Sequence, residues 1–79
     1  MNQYEFTVDV NALKCAAIEA GIGTSIMAMA KVTGLDRNTI ANIYNKKNKP
    51  GSEAMYKIAK ACKLQPAECG QIFFARKLS

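Results

Sequence analysis

Histidine is absent from the 79-residue chain, and neither of its two prolines lies between residues 1 and 49. Histidine is the commonest general acid or base in enzymes. The chain also lacks a Ser or Cys beside a base and a glycine-rich phosphate loop, so an enzyme has little support. The proline-free middle is rich in Ala, Met and Leu, which favours helices over sheet. We therefore expect a helical protein that is not an enzyme.

Cysteine occurs three times, at Cys15, Cys62 and Cys69. Three cysteines without histidine make a poor zinc site, so we expect no metal ion and no other cofactor. An odd number of cysteines favours free thiols in a reducing compartment. We expect all three to pack as small apolar side chains.

Long apolar runs and acidic residues are also scarce. The longest apolar-leaning stretch, AGIGTSIMAMAKV, is too short and too polar to span a bilayer. Residues 1–10 are polar and acidic, unlike a signal peptide, so we expect a cytoplasmic protein. Eleven Lys and Arg against six Asp and Glu leave a net charge of +5. This excess favours a polyanionic partner, although it says nothing about the fold.

The length and the apolar content of 49% predict one small domain, residues 1–79, with an all-α fold of five helices and a short N-terminal β-strand. The strand is indicated by alternation in QYEFTVDV, where Tyr4, Phe6, Val8 and Val10 share one face. A single strand cannot satisfy its own backbone. It should pair with the tail around residues 73–78, or with its copy in a second subunit, which would make a homodimer.

Capping residues predict where the helices begin and end. Asp9 should begin a first helix over about 10–20, and Thr24 or Ser25 a second helix through Val32. Gly34 should end the second helix in left-handed geometry. The remaining helices are expected over about 37–45 after the cap Asp36, from about Ser52, and from Pro66 to about Phe73.

The third helix has two different faces. At about 100° per residue, Ile40 and Ile43 lie opposite a polar arc. Arg and Asn are the side chains that form bidentate hydrogen bonds with guanine and adenine in the major groove. Taken alone, the arc is equally typical of an ordinary solvated helix. Its members are Arg37, Asn38, Ala41, Asn42 and Asn45.

The surrounding residues favour a helix-turn-helix over about residues 25–45. Ala30 and Gly34, four residues apart, permit a close helix crossing and a sharp turn, and three spaced apolar residues then fix the next helix across the first. With these residues the segment SIMAMAKVTGLDRNTIANIYNKKNKPGSEAMYKIAKACKLQPAEC, residues 25–69, resembles the Cro/lambda-repressor-like (XRE) helix-turn-helix family. The matching residues are Ala30, Thr33, Gly34, Arg37, Thr39, Ile40, Ile43, Lys49, Pro50 and residues 57–61.

The resemblance implies a sequence-specific regulator that binds double-stranded DNA, often phage-encoded and often dimeric. It implies that the helix over residues 36–45 reads bases through Arg37, Asn38 and Asn42. The cluster Lys46, Lys47 and Lys49 would follow the phosphate backbone, although a solubilising loop is the alternative. The full set of expected backbone contacts is Ser25, Thr39, Tyr44, Asn45, Lys46, Lys47 and Lys49.

Two departures from the family pattern affect these expectations. Ile26 stands where the family usually has a Gln that helps to dock the second helix on phosphates. Lys46 replaces the usual glycine after the third helix, so we expect Asn45 or Asn48 to take the left-handed geometry there. For Tyr44, a phosphate contact and a position over the junction of the third and fourth helices are equally open.

A second function class also remains open. The domain could bind a protein, acting as an antirepressor or antitoxin on another regulator, such as another phage regulator. The missing Gln at position 26 and the apolar Met27 favour this alternative. The two classes differ in whether the purified protein shifts DNA by itself.

Overall fold

A computed structural model describes residues 6–76 of the chain, and five helices occur in this part. None of the helices found there is long and apolar enough to cross a membrane. The expected all-α architecture is confirmed. The helices are α1 (Val10–Glu19), α2 (Ile26–Thr33), α3 (Arg37–Tyr44), α4 (Ser52–Cys62) and α5 (Pro66–Phe73).

The predicted N-terminal strand is not seen in the extended form expected for residues 3–10. Residues 3–5 lie outside the described part. Beyond them, extended pairing covers only β1 (Phe6–Thr7), which lies antiparallel to β2 (Ala75–Arg76) in the same chain. The extended segment stops there because Asp9 caps α1, and its amide donates a 2.7 Å hydrogen bond to the carbonyl of Ile72. This short ladder pairs the first and last described residues of the chain with each other.

Three side-chain caps begin the first three helices as expected. The Asp9 carboxylate accepts from the amide of Ala12 at 3.0 Å, and the Ser25 hydroxyl accepts from the amide of Ala28 at 3.1 Å. The Asp36 carboxylate begins α3 in the same way. Each cap satisfies a backbone amide that has no partner within its helix. The second helix therefore starts after Ser25 rather than Thr24.

The core forms where the helices bring their apolar stripes together. The largest fully buried side chains come from four helices, which shows that α3 is anchored as firmly as α1, α2 and α4. Burying a side chain of this size contributes about 1.5–3 kcal/mol. The five are Leu13, Met29, Ile40, Ile43 and Ile58.

The cysteines do not all behave as expected. Cys62 is buried and Cys69 is half-buried against the core, whereas Cys15 is exposed. The expectation for Cys15 was wrong because it lies two positions after Leu13, on the side of α1 facing away from the core. Residues 6–76 contain no group of three His, Cys, Asp or Glu side chains placed to hold a metal ion.

Candidate nucleic-acid interface

The turn between α2 and α3 is closed by one buried hydroxyl. Thr33 Oγ1 donates to the Met29 carbonyl at 2.7 Å and accepts from the Leu35 amide at 3.2 Å. Gly34, at φ 75°, has the expected left-handed geometry, and its amide bonds the Ala30 carbonyl at 2.8 Å. These bonds fix the direction in which α3 leaves α2. The role of Thr33 was not recognised in the sequence.

The polar face of α3 is available to a ligand. Ile40 and Ile43, 1% and 2% exposed, hold the opposite face in the core. Arg37 and Asn38 are exposed, and Asn42 is half-buried beside them. Within residues 6–76, no hydrogen bond or ion pair engages these three polar side chains. One guanidinium and two carboxamides therefore lie on a rigid helix with their hydrogen-bonding capacity unused.

The C-terminus of α3 ends differently from the expectation. Lys46 takes left-handed geometry itself, at φ 59°, whereas Asn45 stays at φ −92°. The Lys46 amide bonds the Ile43 carbonyl at 3.1 Å, and the Lys47 amide bonds the Asn42 carbonyl at 2.9 Å. This bond pair is a Schellman motif, which requires left-handed geometry at the residue after the cap. The expected role of Asn45 or Asn48 was therefore wrong.

The segment 46–50, named the basic loop here, follows this motif directly. Lys46, Lys47 and Lys49 are all exposed. In the described part of the chain the ion pair found joins Lys57 to Glu53, 3.0 Å apart on α4. The three loop charges are therefore not neutralised by a described carboxylate. The loop presents positive charge immediately beside the polar face of α3.

Tyr44 is a correction to the expected set of backbone contacts. Its hydroxyl oxygen is buried without a hydrogen-bond partner among the described residues, and its ring packs against the core. Burial raises the pKa of this phenol, and the neighbouring Cys62 raises it further. The hydroxyl faces inward because Tyr44 lies next to Ile40 around the helix. It cannot reach a phosphate in this conformation.

The two remaining expected backbone residues flank the polar face. Ser25 is exposed at the start of α2, where its oxygen accepts the capping bond and its hydroxyl proton stays available. Thr39 is half-buried on the Asn42 side of α3. Ile26, the first residue of α2, is half-buried and packs against the core. Its side chain cannot replace the amide donor that the family usually has there.

Comparison with known proteins identifies the family. A model described as Helix-turn-helix, of the XRE type, matches residues 16–69, well over half of the chain. The chain belongs to this helix-turn-helix family. No curated protein and no solved structure matches it. The match covers the whole of α2, α3 and α4, so the polar face and the basic loop lie within the segment that matches the family.

Helix-turn-helix proteins of this type are DNA-binding regulators and are normally not enzymes. The geometry of this helix-turn-helix domain agrees with that role, because polar side chains without a described hydrogen-bond partner and loop lysines without a described ion-pair partner occur on consecutive segments. The arrangement presents hydrogen-bonding groups on α3 and positive charges in the basic loop.

Proposed function

We propose that the protein is a sequence-specific regulator of transcription, a small repressor of the Cro type, that places α3 in the major groove of double-stranded DNA. One observation carries the proposal. The polar face of α3 is held by buried Ile40 and Ile43, yet its own side chains have no partner among residues 6–76. A major groove about 12 Å wide admits such a helix.

Three side chains are assigned to base reading. The guanidinium of Arg37 has the fork geometry that matches O6 and N7 of guanine. The carboxamides of Asn38 and Asn42 match N6 and N7 of adenine. Ala41, half-buried between them, is small enough to let the helix backbone approach the base edges.

Backbone contacts are assigned to the flanks of α3. The loop lysines and Asn45 lie where α3 ends, and the Ser25 hydroxyl and the amides at the start of α2 form a second site for phosphate. Thr39, half-buried in the first turn of α3, is the remaining assigned contact. Each neutralised phosphate should increase the magnitude of the negative slope of log affinity against log salt by about 0.9.

The test is selection of bound sequences by the purified protein from a random duplex pool at physiological salt. Enrichment of a consensus with guanine and adenine in the contacted half-site supports the proposal. A palindrome with half-sites about 34 Å apart would add that two copies bind together. Recovery of the pool without enrichment contradicts sequence-specific binding.

A protein-binding role, as an antirepressor or antitoxin, is the second candidate. Its specific support is Met27, a large apolar side chain that is 62% exposed at the start of α2. The observation that separates the two is simple. A protein-binding module alters the DNA binding of another regulator without shifting DNA by itself.

A further inference from the structure

A lysine on α1 reaches the end of α3. The ammonium of Lys14 lies 5.4 Å from the centroid of the Tyr44 ring. This distance is within the range of a cation–π contact, in which a cation is attracted to the negative face of an aromatic ring. Tyr44 is the last residue of α3 and is separated from the basic loop by Asn45 alone. The contact therefore brings a charge from α1 to the last residue of α3, two positions before the basic loop along the chain.

The charge of Lys14 is not neutralised by the part of the chain described. No ion pair between Lys14 and a carboxylate occurs among residues 6–76. The ring of Tyr44 attracts the ammonium without cancelling its charge. Because the phenol hydroxyl is buried and the ring packs on the core, the ring is a fixed platform rather than a mobile one.

We propose that Lys14 belongs to the DNA-binding surface as a phosphate contact, and that the ring of Tyr44 is the positioning group that holds its ammonium beside the basic loop. This inference rests on the proposed DNA-binding function. It assigns to α1 a part in a surface otherwise made by α2, α3 and the loop. It also gives the ring of Tyr44 a role in DNA binding, although the inward hydroxyl of Tyr44 has none.

The chain offers a matched control for this contact. The ammonium of Lys60 lies 5.9 Å from the centroid of the Tyr56 ring, in the last turn of α4. The basic loop leads into the first turn of the same helix, so Lys60 lies about two turns away from it. Lys14→Gln and Lys60→Gln remove the same charge and the same kind of ring contact. Only Lys14→Gln removes a charge from the proposed surface.

The experiment measures affinity for one duplex over a series of KCl concentrations, by fluorescence anisotropy. Lys14→Gln should reduce the magnitude of the salt slope by about 0.9. The ratio of wild-type to variant affinity should therefore be about eightfold larger at 0.1 M than at 1 M KCl. Lys60→Gln should leave the slope unchanged, and thermal melting confirms that both variants are folded. An unchanged slope in Lys14→Gln, or equal reductions in the two variants, overturns the assignment.

Two further variants test the positioning role of Tyr44. In a Tyr44→Phe background the ring remains, and Lys14→Gln should change the slope as it does in the wild type. In a Tyr44→Leu background the aromatic platform is lost, and Lys14→Gln should change the salt slope less than it does in the wild type. Equal effects in both backgrounds contradict the role of the ring. Absence of any wild-type DNA binding would instead contradict the proposed function itself, and the Lys14 assignment with it.

Discussion

The backbone amide of Leu35 donates a 3.2 Å hydrogen bond to the side-chain oxygen of Thr33 across the left-handed Gly34. The same oxygen donates its proton to the last turn of α2, at the Met29 carbonyl. Thr33 is only 9% exposed, so water cannot readily replace either partner. The side chain that ends α2 therefore also sets the path into α3.

Replacing Thr33 by Val should weaken the fold. Val keeps the volume but leaves the part-buried Leu35 amide without its acceptor, which costs about 1 kcal/mol. The free energy of unfolding in urea measures the loss. Thr24→Val, at an exposed position, is the control and should change it by less than about 0.5 kcal/mol. Equal values for the two variants would show that the Thr33 hydroxyl does not hold the turn.

Lys46→Gly should stabilise the protein while weakening DNA binding. A non-glycine residue in left-handed geometry costs about 1–2 kcal/mol, and glycine removes this strain at φ 59°. The free energy of unfolding should therefore rise by about 1 kcal/mol, while the salt slope falls by about 0.9 because a phosphate contact is lost. Urea unfolding and a salt titration measure the two effects separately.

Lys63→Gly is the matched control for Lys46→Gly. Lys63 has the same geometry, φ 56°, in a second Schellman motif after α4, where the amide of Leu64 bonds the Ala59 carbonyl at 2.9 Å. The same gain in stability is expected, without a change in DNA affinity, because the basic loop enters the opposite end of α4. A loss of affinity in Lys63→Gly equal to that in Lys46→Gly would point to overall charge rather than to the loop.

Tyr44→Phe should stabilise the protein and reduce its sensitivity to alkali. Removing a buried hydroxyl without a partner should add about 1 kcal/mol at pH 7. Burial raises the pKa of Tyr44 above its ordinary value of 10.0. A raised phenol pKa contributes stability that is complete below pH 10 and is lost as the pH rises through the folded-state pKa.

Urea unfolding between pH 7 and pH 11 tests this expectation. The decline above pH 10 should be shallower in Tyr44→Phe than in the wild type. Cys62 contributes its own decline above its ordinary pKa of 9.0, since burial raises its pKa as well. DNA affinity at neutral pH should not change, because the Tyr44 hydroxyl does not face the DNA. A fall in affinity would restore Tyr44 as a phosphate contact.

Lys47→Ala should weaken binding to every duplex by the same factor. Its ammonium is exposed in the basic loop and is assigned to a phosphate, which carries no sequence information. The salt slope should fall by about 0.9 for a preferred site and for a random duplex alike. A loss of affinity confined to one sequence would show that Lys47 reads bases and does not contact the phosphate backbone.

Local signals explain what could be predicted from the sequence. The caps Asp9, Ser25 and Asp36 and the left-handed Gly34 depend on neighbours within four residues, and the sequence shows those neighbours directly. The spacing of Ile40 and Ile43 similarly identified the buried face of α3. The start of each helix and the turn between α2 and α3 could therefore be predicted from the sequence.

Other features depend on contacts between distant segments. The inward hydroxyl of Tyr44 depends on the core around Cys62, and the position of Lys14 beside Tyr44 depends on how α1 packs against α4 and α5. The geometry of Lys46 follows from hydrogen bonds that a lysine forms as readily as glycine, at a cost in strain. The N-terminal strand was expected to be longer because the apolar alternation continues through Val10, although the predicted cap at Asp9 already marks the start of α1.

The most direct test compares the selected duplex with a random duplex for the wild type and for Arg37→Ala/Asn42→Ala. We expect the wild type to prefer the selected duplex, and the double variant to lose most of that preference, since each bidentate contact discriminates by about 1–3 kcal/mol. Its binding to the random duplex should remain, because the loop lysines are intact. An unchanged preference in the double variant would contradict base reading by α3.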